Sequence, residues 1–333
     1  FTPLESWDVT LTLGESRDET DDLVYGEINT RRKQASWQND LILARNQILT
    51  AGIDLLQDSV SGSLTYAEDT RDNLAIFTQY QGAFGQLNLT AGLRHDDNEA
   101  FGNHTTGNLS LGYTITPRVR GILSYGTAFR APSFNDLYYP GFSNPELQPE
   151  ESTSYELGFT GDPGWGSWEL RAFRTEIDNM IQYNPNAGKP ENIAAARIDG
   201  LETRIGTRLL DWDLSTSLTL LDPRDQSTGE VLQRRARKTL RIDVDRSFGK
   251  TGLGLSFIAQ DSREDLDYST WPATPVTLGG YGLADLRASQ QLSSDWVLRG
   301  QIKNLFDKEY ETVYSYNTLG RELFISLTYA PGT

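Results

Sequence analysis

Arg94-His95-Asp96-Asp97 is followed closely by Asn103-His104, and these two histidines are the only imidazoles in the sequence. Histidine beside carboxylates is the equipment of an acid/base pair or a metal cluster. The same composition is ordinary for a polar loop between strands, where such residues collect without catalytic purpose. The reading preferred here is a loop over 95–104, no catalytic residue and no enzymatic activity. Cysteine is absent, which excludes thiolate nucleophiles, thiolate zinc sites and disulfide frameworks. Carboxylates cluster at Glu68-Asp69, Asp96-Asp97, Asp222 with Asp225, and Glu264-Asp265 with Asp267. Hard cations take such oxygens, but solvated loop charge is the default, so metal ligands stay unknown.

Binding chemistry is better represented than catalysis. Phe134, Leu137, Tyr138, Tyr139, Pro140 and Phe142 crowd one long polar stretch, and exposed rings at this density suit a flat, partly apolar ligand. A self-packed loop is the competing account. Tyr183 beside 184–191, and Tyr268 with Trp271, are placed to join the same mouth. Arg234 and Arg235 stand where another long stretch returns to a strand. Guanidinium donors there could grip amide or phosphate oxygens of a ligand, or meet acidic lipopolysaccharide at a rim. If Leu240, Ile242 and Val244 face one way, parity sends Arg235, Arg237 and Arg241 the other way, which favours Arg235.

The elements that must position these groups are strands. Trp7, Val9, Leu11 and Leu13 alternate with Asp8, Thr10 and Thr12; Leu87, Leu89, Ala91 and Leu93 alternate with Asn88, Thr90, Gly92 and Arg94. The pattern recurs in about 17 segments of about ten residues, the length of a tilted strand crossing a bilayer. They start near 6, 22, 35, 46, 71, 85, 105, 118, 152, 165, 197, 211, 237, 251, 280, 295 and 320. Connections alternate between tight links at 44–46, 82–85, 116–118, 161–164, 248–250 and 293–294 and long stretches at 57–70, 95–104, 130–151, 178–196, 222–236, 262–279 and 305–319. Short turns at one rim and long loops at the other describe an all-β transmembrane antiparallel barrel. Trp37, Tyr80, Tyr113, Tyr125, Trp168, Trp212, Trp296 and Tyr329 near strand ends fit interfacial girdles.

Composition agrees. The net charge of -16 argues against a nucleic-acid partner. No apolar run approaches the length of a membrane helix. A soluble sandwich or propeller also alternates, but no linker and no blade-length repeat divides the 333 residues. A sandwich would bury its apolar faces between two dry sheets.

Lys303-Asn304-Leu305-Phe306-Asp307-Lys308-Glu309-Tyr310-Glu311-Thr312 resembles a segment that marks TonB-dependent outer-membrane receptors. Ser124-Tyr125-Gly126-Thr127-Ala128-Phe129-Arg130-Ala131-Pro132-Ser133, followed by Asn144-Pro145-Glu146-Leu147-Gln148-Pro149-Glu150, resembles a second segment of the same receptors. Within that family the cobalamin receptors are most similar, on Leu232-Gln233-Arg234-Arg235-Ala236-Arg237, on Tyr268-Ser269-Thr270-Trp271-Pro272 with Gly279-Gly280-Tyr281, and on the run from Tyr310 to Glu322. The general motifs are shared with ferric-siderophore receptors, and a passive porin and a soluble all-β binding protein are the remaining alternatives.

The resemblance implies a receptor in the outer membrane of a Gram-negative bacterium, with a plug domain and a 22-stranded barrel, of which residues 1–333 would supply the C-terminal part, about the last 17 strands. It implies uptake of cobalamin, or alternatively of an iron siderophore, with energy coupled from TonB through an N-terminal region. Lipid and lipopolysaccharide would surround the wall. No covalent cofactor is implied, although calcium orders loops in the cobalamin group. An arginine of the Leu232–Arg237 motif would touch the ligand, so the residues expected at the site are Arg234, Arg235, Tyr138, Tyr139, Phe142, Tyr183 and Trp271. Two departures stand out: the run Arg31 to Ala35 replaces long outward loops after the second segment, and Ala330-Pro331-Gly332-Thr333 follows the terminal aromatic Tyr329.

Overall fold

In strand β12 (Lys238–Phe248), Leu240, Ile242 and Val244 share one face while Arg241, Asp243 and Asp245 share the other. This is the period-two rule of an extended chain, and it governs the wall. The computed structural model describes residues 4–22 and 26–331; Gly332 and Thr333 lie outside the described residues, as does part of the segment expected from 22. The remaining elements before β12 are β1 (Trp7–Asp22), β2 (Gly26–Ala44), β3 (Gln47–Gly62), β4 (Thr70–Phe84), β5 (Leu87–Asn98), β6 (Gly102–Thr116), β7 (Val119–Arg130), α1 (Phe134–Tyr138), β8 (Glu150–Gly161), β9 (Gly166–Asn184), β10 (Lys189–Leu209) and β11 (Trp212–Asp225). After it come β13 (Thr251–Gln260), β14 (Arg263–Asp267), β15 (Thr274–Leu278), β16 (Tyr281–Gln291), β17 (Trp296–Lys303), β18 (Glu311–Val313), β19 (Tyr316–Asn317) and β20 (Glu322–Tyr329).

Sixteen of these strands form one antiparallel sheet, each bonded to its sequence neighbours in that sheet, from β1 at one edge to β20 at the other. β14 with β15 and β18 with β19 are separate two-stranded hairpins within long loops. The all-β barrel wall is as expected. The sheet count is 16 rather than about 17 because the segments placed from 22 and from 35 are one strand. Within it Arg31–Ala35 is no connection: Arg31 pairs with Arg17 and Ser59, and Ala35 with Leu13 and Leu55.

The tight links fall where the sequence placed them, at one rim, and Leu210-Asp211 adds a further turn with φ of 50° and 66° at its two central residues. Positive φ at both positions is the primed geometry that matches strand twist. Two expected long loops are much shorter. β5 and β6 leave only 99–101 between them, and β9 and β10 leave only 185–188. Polar residues there belong to long hairpins that continue the ladder beyond the apolar band, so polarity marked height above the band and not loss of pairing.

The two faces differ in chemistry. Leu13 is 75% exposed and Leu255 41%, and Leu93, Leu123 and Ile325 are exposed on the same outward side. Contiguous apolar exposure of this kind is costly in water and suits hydrocarbon. Many inward-facing charges are paired: Arg94 meets Asp54 and Asp96 at 2.5 and 2.9 Å, Arg32 grips Asp58, and Arg287 reaches Asp245 at 2.8 Å. Apolar side chains thus dominate the outside and many ion pairs line the inside, the reverse of a dry sandwich, although Arg174 with Asp199 and Glu15 with Arg17 and Arg31 pair on the outward face. The only buried apolar cluster identified among the described residues is Val60, Tyr66 and Phe134, with Ile28, Tyr138 and Tyr139 against it. It seats the 131–149 loop on the inner wall at the long-loop rim.

Candidate ligand-binding mouth

Ser133 opens α1 with a capping box: its hydroxyl accepts from the Asp136 amide, and the Asp136 carboxylate accepts from the Ser133 amide at 2.9 Å. That short helix buries Phe134 and Leu137 and turns the following aromatics toward the mouth. From there rings touch in series across three loops and the end of β9. Tyr66 and Tyr139 meet edge-on with centroids 6.2 Å apart, and Tyr139 meets Phe142 at 6.3 Å. Phe142 stacks on Tyr183 at 5.0 Å and 19°. Tyr183 meets Tyr268 at 5.9 Å, and the Arg234 guanidinium lies over the Tyr268 ring at 5.7 Å. Such offset and edge contacts favour a continuous aromatic stripe.

Four expected residues, Tyr139, Phe142, Tyr183 and Arg234, lie on this stripe. Tyr138 is half-buried against the Val60–Tyr66–Phe134 cluster. Trp271 is 71% exposed at the tip between β14 and β15, with no ring partner among the described residues. Arg235 is half-buried beside the Glu150 carboxylate and donates to the Gln233 carbonyl at 3.2 Å. Parity does not place it, because 226–237 is loop and the strand begins at Lys238. Tyr268, expected at the mouth beside Trp271, joins the stripe, and so does Tyr66, which was not expected there. The signal available for Tyr66 was a lone ring in the polar run 61–70.

Charge in the mouth is compensated. Asp265 is 1% exposed and accepts from Arg234 Nε at 2.9 Å, from the Leu266 amide at 2.9 Å and from the Tyr314 amide at 2.8 Å. Arg234 has φ of 59° and donates its own amide to the Glu264 carbonyl at 2.7 Å. One carboxylate thereby ties three loops, while the two Arg234 amino groups have no hydrogen-bond partner among the described residues. Burial lowers the Arg235 guanidinium pKa, and Glu150 opposes that shift. Burial raises the Tyr268 phenol, with Arg234 pulling the other way.

Both histidines contact neighbouring strands. His95 and His104 lie in paired strands opposite Thr105 and Asp96, so the expected loop over 95–104 is a hairpin. His95 Nδ1 bonds the Thr105 hydroxyl at 2.8 Å, and His104 stacks on Phe129 at 4.3 Å. Among the described residues no group of three or more metal-binding side chains is assembled. Asp225 Oδ1 and both Asp265 oxygens accept from local amides, a hydroxyl and Arg234.

Residues 2–305 match the family described as TonB dependent receptor-like, beta-barrel. The chain belongs to the TonB-dependent receptors. The Vitamin B12 transporter BtuB of Photobacterium profundum is 32% identical over 336 residues, covering 97% of this chain and 54% of that protein. Among solved structures, a point mutant of the ferric enterobactin receptor PfeA from Pseudomonas aeruginosa aligns with a TM-score of 0.80 at 19% identity, covering 98% of this chain and 60% of its own. The siderophore receptor PirA from Acinetobacter baumannii aligns at 0.80 and 16%, covering 97% and 60%. At those identities the structures speak for the fold alone. The chain spans about half the length of the BtuB relative. TonB-dependent receptors are transport receptors of the outer membrane, which accords with a wall that is mainly apolar outside and carries many ion pairs inside.

Proposed function

We propose that residues 1–333 are the barrel portion of an outer-membrane receptor that binds cobalamin or a related corrinoid at the long-loop rim and imports it with energy coupled from TonB. The observation that carries this reading is the unbroken stripe from Tyr66 to Arg234. A corrin ring presents a flat apolar face edged by amides. Rings of the stripe supply stacking area, and the unengaged Arg234 amino groups supply donors for amide oxygens. No bond is made or broken; the plug and the TonB contact belong to parts of the receptor that this chain does not span.

A ferric siderophore is the second reading, since catecholates also stack on such rings. The 32% identity to the Vitamin B12 transporter BtuB favours the corrinoid. Charge does not separate the two, because Arg234 is paired with Asp265 while Glu150, beside Arg235, is already gripped by Arg130 at 2.6 Å.

Equilibrium binding of cyanocobalamin and of ferric enterobactin to the full-length receptor in detergent decides between them. Saturable cyanocobalamin binding that weakens about tenfold in Arg234→Ala is expected. Tight siderophore binding with no response to cyanocobalamin refutes the corrinoid assignment.

A further inference from the structure

At the short-turn rim one arginine sits among lipid-facing side chains. Arg246 follows Leu240, Ile242 and Val244 along the outward face of β12, precedes Phe248 on it, and pairs across to the exposed Leu253. Its guanidinium lies 4.6 Å from the Phe248 ring centroid and 5.5 Å from that of Trp212, and these two rings meet edge-on at 6.0 Å. Arg246 Nε is buried and has no hydrogen-bond partner among the described residues. The one carboxylate paired with the guanidinium among them is Asp211, whose Oδ2 is 3.5 Å from Nη2 and whose side chain is 73% exposed.

A guanidinium keeps its proton at any working pH, so at the edge of hydrocarbon it must find negative charge. The ring faces supply part of that, and a loose contact to a solvated aspartate supplies little. Trp and Phe at a barrel rim lie at headgroup depth, and short turns mark the periplasmic side. We propose that Arg246, clamped between Trp212 and Phe248, binds the phosphodiester of a periplasmic-leaflet glycerophospholipid. Its donors hold the phosphate oxygens in the bidentate manner of guanidinium and phosphate, and the acyl chains run along Val244, Leu214 and Leu253. The site rests on the outward face meeting lipid and is independent of the imported ligand.

Native mass spectrometry of the detergent-solubilised full-length receptor tests this, with phosphatidylglycerol as the probe and dioleoylglycerol as the comparator without a phosphodiester. One phosphatidylglycerol should be retained after other lipids are stripped. Its affinity should fall about tenfold in Arg246→Gln and by less in Arg246→Lys, which keeps the charge. Dioleoylglycerol binding should be equal in all three, and a strand signal in circular dichroism equal to wild type shows that the variants fold. Equal phosphatidylglycerol binding in wild type and Arg246→Gln overturns the proposal, as does a lysine variant no better than glutamine. Displacement of the lipid by millimolar inorganic phosphate also overturns it, because the site would then take free anions.

Discussion

Phe142 is 42% exposed and lies between Tyr139 and Tyr183, so it presents ring area to the mouth without supporting the wall. Phe142→Ala should weaken corrinoid binding by about 1–2 kcal/mol, or about tenfold, while leaving the unfolding midpoint unchanged. Calorimetric titration measures the first quantity and thermal unfolding the second, and a shift in unfolding alone would assign Phe142 to packing. Asp267, at the end of β14, has its pKa lowered by the Ser269 hydroxyl, which donates at 2.6 Å, and by the Ser269 amide. A depressed carboxylate pKa means that the stabilisation is present above the ordinary aspartate value and is lost as pH falls through the lowered one. Amide exchange at Ser269 should therefore stay slow at neutral pH and accelerate only below the ordinary aspartate range. Asp267→Asn should remove that pH dependence; an unchanged acid profile would mean that another group controls the tip.

Strand pairs are held by contacts that only glycine permits at two inner positions. A Cβ on Gly200 would stand 2.2 Å from the Phe173 ring, and one on Gly52 would stand 2.5 Å from Phe77. In each case the ring belongs to the directly paired residue, so an aromatic lies across the strand and covers the glycine. Gly200→Val should expel Phe173 and destabilise the β9–β10 pair by about 1–3 kcal/mol, read as a lower urea midpoint in lipid vesicles. No change in that midpoint would show that the ring moves away freely. The family motif around Asn304 is likewise an element-scale device. Asn304 is 5% exposed, its side chain exchanges two hydrogen bonds with the Lys308 backbone at 2.8 and 2.9 Å, and Asp307 accepts the Arg321 amide at 2.7 Å. Residues that looked like a signature are the clamp that ends β17 and closes its loop.

For the whole molecule, solvent defines the two faces. Outward leucines are favourable only against hydrocarbon, and inward ion pairs only where water or protein reaches them. Leu255→Lys, on the outward face of β13, should cost about 2–4 kcal/mol if it lies near mid-bilayer, falling toward about 0–1 nearer a rim. Unfolding titrations in vesicles of defined thickness measure this. An equal cost in detergent and in bilayer would argue that packing and not lipid sets the penalty.

Much of this architecture was legible without coordinates because strand alternation is local: a residue's parity alone assigns Leu240 outward and Arg241 inward, and turn residues mark the rim. Loop lengths at 95–104 and 178–196 were misjudged, since polar residues continue a paired hairpin as readily as they end one. Arg31–Ala35 was misjudged for the same reason. Whether distant loops meet was beyond local rules. Phe142 on Tyr183 and Arg234 on Asp265 and Tyr268 depend on the register of intervening strands and on how each loop folds back over the rim. Residue types along the chain thus determined a lipid-facing wall with an aromatic mouth, and tertiary structure decided which rings and charges touch, because those contacts are set by strand register and loop folding across many strands and not by spacing.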